Sequence, residues 1–162
     1  MDNKIILIKL DNINIVKYKL KILSAFKFHP DLNRSVRERG LLEETIKLVQ
    51  KNKTILYLLV KEDELLGLIA LSASSIEEIP VIQVDYLFVS YNYRREFIKE
   101  IGSTVSEYLI SFAIKTAETI KQTIGVKYIA LYPDAQDKNL ISHYQKMGFF
   151  KLNKYWLVIK LK

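Results

Sequence analysis

The feature that most constrains the fold is a strand–helix–strand succession in the second half of the chain. The run 81–89 is β-branched, aromatic or aliphatic except for Gln83 and Asp85, which share one face of a strand because side chains alternate. Apolar residues then recur at helical spacing after Gly102, and 126–132 is again a strand pattern. Such a unit predicts two parallel strands joined by a right-handed helical crossover.

Further strands and helices are predicted around this unit. Two apolar runs, 54–60 and 65–72, flank a polar turn and predict an antiparallel hairpin. Strands are also predicted over 5–10 and 155–161, and helices over 13–27, 32–50 and 136–147. We therefore expect an α/β fold with the element order β-α-α-β-β-β-α-β-α-β and helices on both faces of a mixed sheet.

Several residues predict where the helices begin and end. Asp11 precedes the first helix and Asp134 precedes the last, and a carboxylate there can accept hydrogen bonds from exposed helical N–H groups. Thr104 and Glu107 have the spacing of a capping box at the start of the third helix. Gly148 is expected to end the last helix.

Length and composition restrict the classes of protein and of site. The chain has 162 residues and no repeat or linker-like segment, so a single domain over 1–162 is expected. It contains no cysteine, which excludes disulfides, thiolate nucleophiles and cysteine-ligated metals, and with only His29 and His143 no metal site is expected. Without a signal-peptide pattern or a long apolar run, we expect a soluble, cytoplasmic protein with no membrane partner.

The chain is basic, with a formal net charge of +7. This charge favours an anionic partner, and both a polyphosphate cofactor and a nucleic acid satisfy that requirement. The lysines are spread along the chain, so a solvated basic surface is an equally good interpretation. Charge alone therefore does not choose the partner.

The most informative functional pattern lies at 139–150, where Tyr144 is followed by Lys146, Gly148 and Phe149. With the element order, this segment resembles the GNAT superfamily of acetyl-CoA-dependent N-acetyltransferases, and the resemblance covers nearly the whole chain. It implies a GNAT-like, mixed and mostly antiparallel twisted sheet. It also implies acetyl-CoA as acyl donor and transfer of its acetyl group to a primary amine by direct attack in a ternary complex.

Tyr144 is the predicted general acid. In the GNAT family a tyrosine in this pattern sits beside the sulfur of the cofactor. A phenol with an ordinary pKa near 10 is protonated at neutral pH and can protonate the departing thiolate. The alternative is a core aromatic residue, because Leu140, Ile141 and Met147 fall on the same helical face.

The resemblance also predicts a loop that binds the pyrophosphate of the cofactor through converging N–H groups at the start of a helix. Ile101, Gly102 and Ser103 match the family pattern. Glu100 stands where the first glycine is usual, and Phe97 stands where a basic residue is usual. The loop is therefore either longer than in the family or remodelled.

In the longer loop, Arg94 or Arg95 replaces the missing basic residue. We expect Arg95 or Lys99 to face the cofactor, and Glu100 to turn away because a carboxylate repels phosphates. The alternative is that these cations are only solvated loop charges. If the loop binds no phosphate, the chain is a catalytically weakened CoA-binding or interaction module of the same fold.

The strand 81–89 is predicted to supply the base and the backbone contacts. Family members often place a proton-relaying glutamate at the position of Gln83, whose carboxamide cannot replace it, so Asp85 is the candidate base, directly or through a water. A buried, hydrogen-bonded carboxylate is an equally good interpretation of Asp85. The backbone at Leu87, Phe88 and Val89 is predicted to hold the pantetheine amide and polarise the thioester carbonyl.

The acceptor amine is not fixed by these patterns. A polyamine, an amino acid, an antibiotic, a protein N-terminus and aminoacyl-tRNA stay open, with small-molecule or peptide amines as the general expectation and other nucleic acids not expected. The segment 26–34 resembles the start of the second helix in relatives that include aminoacyl-tRNA-modifying toxins, and basic charge fits tRNA. Asn139 resembles a cofactor-contacting asparagine, although the usual register falls on Asp137. A homodimer is compatible with the resemblance.

Overall fold

The strands and helices follow the predicted order, with additional short strands that the sequence did not predict. The computed structural model describes residues 4–162. Its elements are β1 Ile5–Leu10, α1 Ile15–Ala25, α2 Leu32–Gln50, β2 Ile55–Lys61, β3 Glu64–Ile76, β4 Ile79–Val89, β5 Phe97–Ile98, β6 Ser103–Thr104, α3 Val105–Lys121, β7 Tyr128–Leu131, α4 Lys138–Lys146, β8 Phe150–Lys151 and β9 Leu157–Lys160. Two 3-10 helices cover Tyr91–Tyr93 and Asp134–Gln136.

Seven strands form one sheet in the order β1-β2-β3-β4-β7-β9-β8, and β5 pairs with β6 in a separate two-stranded sheet. The pairs β1–β2, β7–β9 and β8–β9 are antiparallel. β4 and β7 are parallel, with Val81 opposite Tyr128 and Val84 opposite Leu131. The predicted mixed and mostly antiparallel α/β fold, with its parallel pair, is therefore confirmed.

Two-residue turns join β2 to β3 and β3 to β4. Glu62 has φ +56° in the first turn, and Glu77 and Glu78 have φ +50° and +70° in the second. Positive φ at both central residues is typical of a type I′ turn, whose twist matches antiparallel strands. As a result β3 continues to Ile76 and β4 already begins at Ile79, so both strands are longer than predicted.

The first and last helices begin later than predicted. The Asp11 carboxylate accepts hydrogen bonds from the N–H groups of Ile13 and Asn14 at 2.9 and 3.1 Å, which makes a separate turn before α1. α4 is capped by Asp137, which accepts from the N–H groups of residues 139 and 140 at 2.8 and 3.1 Å. The predicted cap Asp134 is wrong, because that residue begins the preceding 3-10 helix.

The predicted capping box at the start of α3 is confirmed. The N–H of Glu107 donates to the Thr104 hydroxyl oxygen at 3.3 Å, and the Glu107 carboxylate accepts from the Thr104 N–H at 3.4 Å. The same carboxylate accepts from the Thr104 hydroxyl at 2.8 Å. These contacts fix where the helix begins, just after the candidate phosphate loop.

Contacts divide the chain into two compact units. The first comprises the residues up to Ala70 and Tyr86–Leu109, and the second comprises Leu71–Asp85 and Ile110–Lys162. The core of the first unit includes Ile22, Leu42, Ile46, Leu58, Leu68 and Phe88. The core of the second includes Ile76, Val81, Ala130 and Val158. The single domain over 1–162 stays a prediction.

Gly67 occupies a position in β3 where no side chain fits. A Cβ atom there would stand 2.7 Å from the carbonyl oxygen of Phe88 and 2.8 Å from Cγ1 of Val105. Real Cβ atoms do not approach other atoms so closely, so glycine is required for the close packing of β3, β4 and α3. The residue thereby positions the start of α3.

Candidate active site

Tyr144 lies on α4, and the residues after the helix hold its ring. Tyr144 is 7% exposed, and its ring meets the Phe149 ring edge-on with centroids 5.8 Å apart. Gly148 has φ +105° and reverses the chain, so that the Phe149 N–H donates to the Tyr144 carbonyl oxygen at 3.2 Å. The Tyr–Gly–Phe pattern thus has a local physical cause, since the glycine turns the chain and the phenylalanine fixes the tyrosine ring.

The Tyr144 hydroxyl forms no hydrogen bond with residues 4–162. Burial, and then the negative charge of Asp134, raises the pKa of Tyr144 above its usual value. The phenol is therefore protonated at neutral pH, which is the state a general acid needs.

Gln83 and Asp85 are both half-buried on β4. Asp85 interacts with neighbouring residues, as a half-buried carboxylate is expected to do. Its position near the end of the strand fits either of the two interpretations of the sequence. Asp85 as the general base stays a prediction.

Arg94 is tied to the end of β4, an arrangement that the sequence did not predict. Its Nε donates to the Val89 carbonyl oxygen at 2.9 Å, and Nη1 and Nη2 donate to the Glu38 carboxylate at 2.9 and 2.8 Å. Its guanidinium carbon lies 5.2 Å from the centroid of the Phe88 ring and 5.4 Å from that of the Tyr91 ring. All three of its nitrogens therefore have partners within the protein.

The loop between α1 and α2 is bound to the residues that follow β4. The Lys27 N–H donates to the Ser90 hydroxyl oxygen at 3.0 Å, and the Tyr91 N–H donates to the Lys27 carbonyl oxygen at 2.8 Å. The His29 N–H donates to the Glu38 carboxylate at 3.1 Å. Ser90 is only 1% exposed, so this junction is shielded from water.

Glu38 is held in its ionised form. Burial raises its pKa, but the hydrogen bonds from Arg94 and from the His29 N–H outweigh this effect and bring the pKa below its usual value. On the same helix, the Glu38 carbonyl oxygen accepts from the Tyr86 hydroxyl at 3.4 Å. Glu38 thus connects α2 to β4 by both its side chain and its backbone.

The candidate phosphate loop is a closed hairpin. β5 and β6 pair, and the N–H groups of Ile101 and Gly102 both donate to the Ile98 carbonyl oxygen, at 3.2 and 2.9 Å. Gly102 has φ +68°, a left-handed conformation that favours glycine. The Ser103 hydroxyl donates to the carbonyl oxygen of residue 104 at 2.9 Å. Two amides predicted to bind phosphate are therefore already hydrogen-bonded, and of the two alternatives this geometry favours a remodelled loop.

The charged side chains of this loop differ in their contacts: the carboxylate is bound by a lysine, and two cations form no hydrogen bond or ion pair within the described part of the chain. The Glu100 carboxylate accepts from Lys61 Nζ at 3.0 Å, and this bond lowers the pKa of Glu100. Arg95 and Lys99 are exposed, and their side chains form no hydrogen bond or ion pair with residues 4–162. The loop thus presents two cations, while its carboxylate is neutralised by a lysine.

For the other predicted site residues, the structure gives their burial and few specific contacts. Leu87 and Val89 are half-buried, and Phe88 is buried in the core of the first unit. Asn139 is exposed in the first turn of α4, and its N–H donates to Asp137. The predicted residues from Leu87 to Ser103 all lie in the first unit, whereas Asp85, Asn139 and Tyr144 lie in the second.

The described part of the chain, 4–162, contains no group of three or more His, Cys, Asp or Glu side chains that could hold a metal ion. Within the same range, none of the helices is both long and apolar enough to cross a membrane.

The fold of this chain is found in solved structures of other proteins. No protein-family model matches the sequence, and no curated protein matches it. The solved structure of AtaTR bound with acetyl-CoA matches with 14% identity and a TM-score of 0.75, over 98% of this chain and 94% of that one. The KacTA–DNA complex matches with 16% identity and a TM-score of 0.70, over 96% and 93%. AtaT complexed with acetyl-methionyl-tRNAfMet matches with 12% identity and a TM-score of 0.70, over 97% and 95%. These matches show that the chain shares the fold of AtaT and KacT, which is the GNAT fold.

Proposed function

We propose that this chain, which has the GNAT fold, is an acetyltransferase that moves the acetyl group of acetyl-CoA to a primary amine, and that this amine belongs to an aminoacyl-tRNA. The fold is shared with AtaTR bound with acetyl-CoA and with AtaT complexed with acetyl-methionyl-tRNAfMet. The observation that carries the proposal is the Tyr144 hydroxyl, which is protonated at neutral pH, on a ring that Phe149 fixes.

In the proposed reaction the amine nitrogen attacks the thioester carbonyl carbon directly. The C–N bond forms, the C–S bond breaks, and the Tyr144 hydroxyl gives its proton to the departing sulfur. The proton lost by the amine passes to Asp85 or to a water, and solvent returns a proton to the phenolate. The β4 backbone at Phe88 and Val89 polarises the carbonyl. Because the chain has no cysteine, the acetyl group cannot pass through a covalent thioester intermediate on the protein.

The phosphates of acetyl-CoA are assigned to the loop 95–103. Arg95 and Lys99 are exposed cations, and the Glu100 carboxylate is bound by Lys61, so the local charge suits an anion. The N–H groups of Ile101 and Gly102 contribute only if the hairpin turn opens. Side chains rather than backbone amides are therefore the principal phosphate ligands in this proposal.

The charge of the segment 15–39, which covers α1 and the first part of α2, supports a nucleic-acid acceptor. Residues 15–39 contain seven lysines and arginines but only two acidic residues, Asp31 and Glu38. Both acids are engaged, since Asp31 caps α2 by accepting from the Arg34 N–H, and Glu38 binds Arg94. The net positive charge of this segment suits the phosphate backbone of tRNA.

The acceptor is tested by incubating the purified chain with acetyl-CoA and a pool of charged tRNAs, followed by mass spectrometry of the aminoacyl groups. We expect N-acetylated aminoacyl-tRNA, with uncharged tRNA and free amino acids unmodified. Acetylation of polyamines or peptides, with charged tRNA unmodified, would show that the acceptor is wrong while the acetyltransferase assignment is right.

A second candidate is a binding module without catalytic activity. The observation in its favour is the closed turn, in which the Ile101 and Gly102 amides are already hydrogen-bonded. A thermal-shift titration with acetyl-CoA separates the candidates, because a ligand that binds the folded state raises the melting temperature. A shift without acetyl transfer to any amine supports a CoA-binding module. No shift well above micromolar concentration contradicts the acetyltransferase and leaves an interaction module of the same fold.

A further inference from the structure

We infer that Glu38 and Arg94 form a positioning pair that orients the end of β4 for acetyl transfer. This inference rests on the proposed function, which assigns the backbone of Phe88 and Val89 to the thioester. It gives Arg94 a different role from the phosphate contact expected from the sequence. It also gives a role to Glu38, a residue on α2 that no sequence pattern indicated.

The contacts between Glu38 and Arg94 fix the orientation of the guanidinium group as well as its distance from the carboxylate. Glu38 accepts from Nη1 and Nη2 of Arg94 at 2.9 and 2.8 Å, so two parallel hydrogen bonds define the plane of the guanidinium. The rings of Phe88 and Tyr91 flank the same group. Nε, the remaining nitrogen, then points at the Val89 carbonyl oxygen at 2.9 Å. A lysine cannot reproduce this fork, because its ammonium is a single point charge.

These contacts fix the peptide group between Val89 and Ser90. Its carbonyl, from Val89, accepts from Arg94, and its N–H, from Ser90, donates to the Leu66 carbonyl oxygen of β3 at 2.9 Å. Both polar groups of the Val89–Ser90 peptide are therefore held. Fixing this peptide plane restricts the preceding Phe88–Val89 peptide, which the proposed function assigns to the thioester.

The pair is also partly shielded from water, since the side chains of Arg94 and Glu38 are 23% and 16% exposed. A bidentate, partly desolvated ion pair is more rigid than an exposed one. The His29 N–H shares the Glu38 carboxylate at 3.1 Å, so the loop before α2 is part of the same arrangement. Loss of the carboxylate charge would loosen all of these contacts together.

The distinguishing variant is Glu38→Gln, because it weakens the fork while leaving Arg94 in place. We expect kcat to fall by about 10- to 100-fold, as for a small misplacement of a reacting group, with the Kd of acetyl-CoA changed by less than about threefold. Arg94→Lys is expected to have the same effect. The matched control is Lys121→Arg, because Lys121 Nζ also donates to a backbone carbonyl oxygen, that of Leu161 at 3.1 Å, but belongs to none of the sites assigned above. Its kcat is expected to match the wild type.

Two kinetic outcomes overturn the inference. One is an unchanged kcat in Glu38→Gln, and the other is a Kd for acetyl-CoA that weakens in Arg94→Lys while kcat is retained, which indicates a phosphate contact. If the wild-type chain transfers no acetyl group, the proposed function fails, and hydrogen exchange then decides the positioning role. The Ser90 and Tyr91 amides should exchange at least about tenfold faster in Glu38→Gln than in the wild type. Equal exchange overturns the inference independently of turnover.

Discussion

Phe149 packs edge-on against Tyr144, with ring centroids 5.8 Å apart and planes at 68°. Phe149 is itself 3% exposed, so it is a fixed part of the core rather than a mobile neighbour. The contact leaves the phenol with little rotational freedom. A proton donor in a fixed position is what thiolate departure requires.

Removing the Tyr144 hydroxyl should lower turnover without lowering cofactor affinity. Tyr144→Phe preserves the ring and its packing, so we expect kcat to fall by about 100-fold or more, with the Kd of acetyl-CoA nearly unchanged. Steady-state kinetics and calorimetric titration measure the two quantities. The matched control is Tyr155→Phe, which removes the hydroxyl of an exposed tyrosine in the same unit. A Tyr144→Phe variant as fast as the wild type would remove Tyr144 from its proposed role.

Gly67→Ala should destabilise the chain. The new Cβ would lie 2.7 Å from a backbone oxygen, which cannot move aside like a side chain, so we expect a loss of about 1–3 kcal/mol in the free energy of unfolding. Gly40→Ala is the matched control, because no atom lies within 4 Å of its Cβ position and it lies inside α2, where alanine stabilises by about 0.5–1 kcal/mol. Urea denaturation measures the free energy of unfolding of both variants. A change of the same sign in Gly67→Ala and Gly40→Ala would contradict the close packing assigned to Gly67.

Asp137, and not Asp134, should be the residue whose loss weakens α4. Asp137→Ala removes the acceptor for two helical N–H groups, so we expect a loss of about 1 kcal/mol in the free energy of unfolding. Lys138→Ala, at the exposed next position, serves as the control. Denaturation curves that coincide for the two variants would show that the cap lies elsewhere.

The contribution of Glu38 to stability should depend on pH. Its pKa in the folded state lies below the ordinary value of 4.5, so the stabilisation is present above that pH and is lost as the pH falls through the lowered pKa. Glu38→Gln should therefore be less stable than the wild type at pH 7, and the difference should shrink below about pH 4.5. Denaturation at pH 7 and near pH 3 tests this, and a difference independent of pH would contradict the ionised pair.

Local patterns were sufficient to predict most of the fold. Alternating or continuous apolar runs predicted the long strands, and the strand–helix–strand unit predicted the parallel pair of β4 and β7. The type I′ turn was not predicted, because Glu77 and Glu78 have positive φ where glycine or asparagine usually signals such a turn. The cap of α4 was misplaced because two acidic residues precede the helix and spacing alone does not choose between them.

Only the part of the candidate site that is formed by residues close in sequence could be predicted. Tyr144, Gly148 and Phe149 are close in sequence, and their contacts follow from one helix end. Glu38 and Arg94 are 56 residues apart, so no short pattern could connect them. Gly67 carried a weak signal, since a glycine inside a strand often marks a close backbone approach.

The central claim is that the acetyl group passes directly from acetyl-CoA to the amine. The most direct test measures, in the same reaction, the free thiol that is released and the N-acetylated product that forms. The purified chain is mixed with acetyl-CoA and charged tRNA, singly and in combination, while free thiol, N-acetylated product and the intact mass of the protein are recorded. We predict one thiol released for each N-acetyl group formed, only when both substrates are present, and no acetyl group on the protein itself. Thiol release that stays at the background rate with every amine, or an acetylated protein formed before the acceptor is added, would contradict the account.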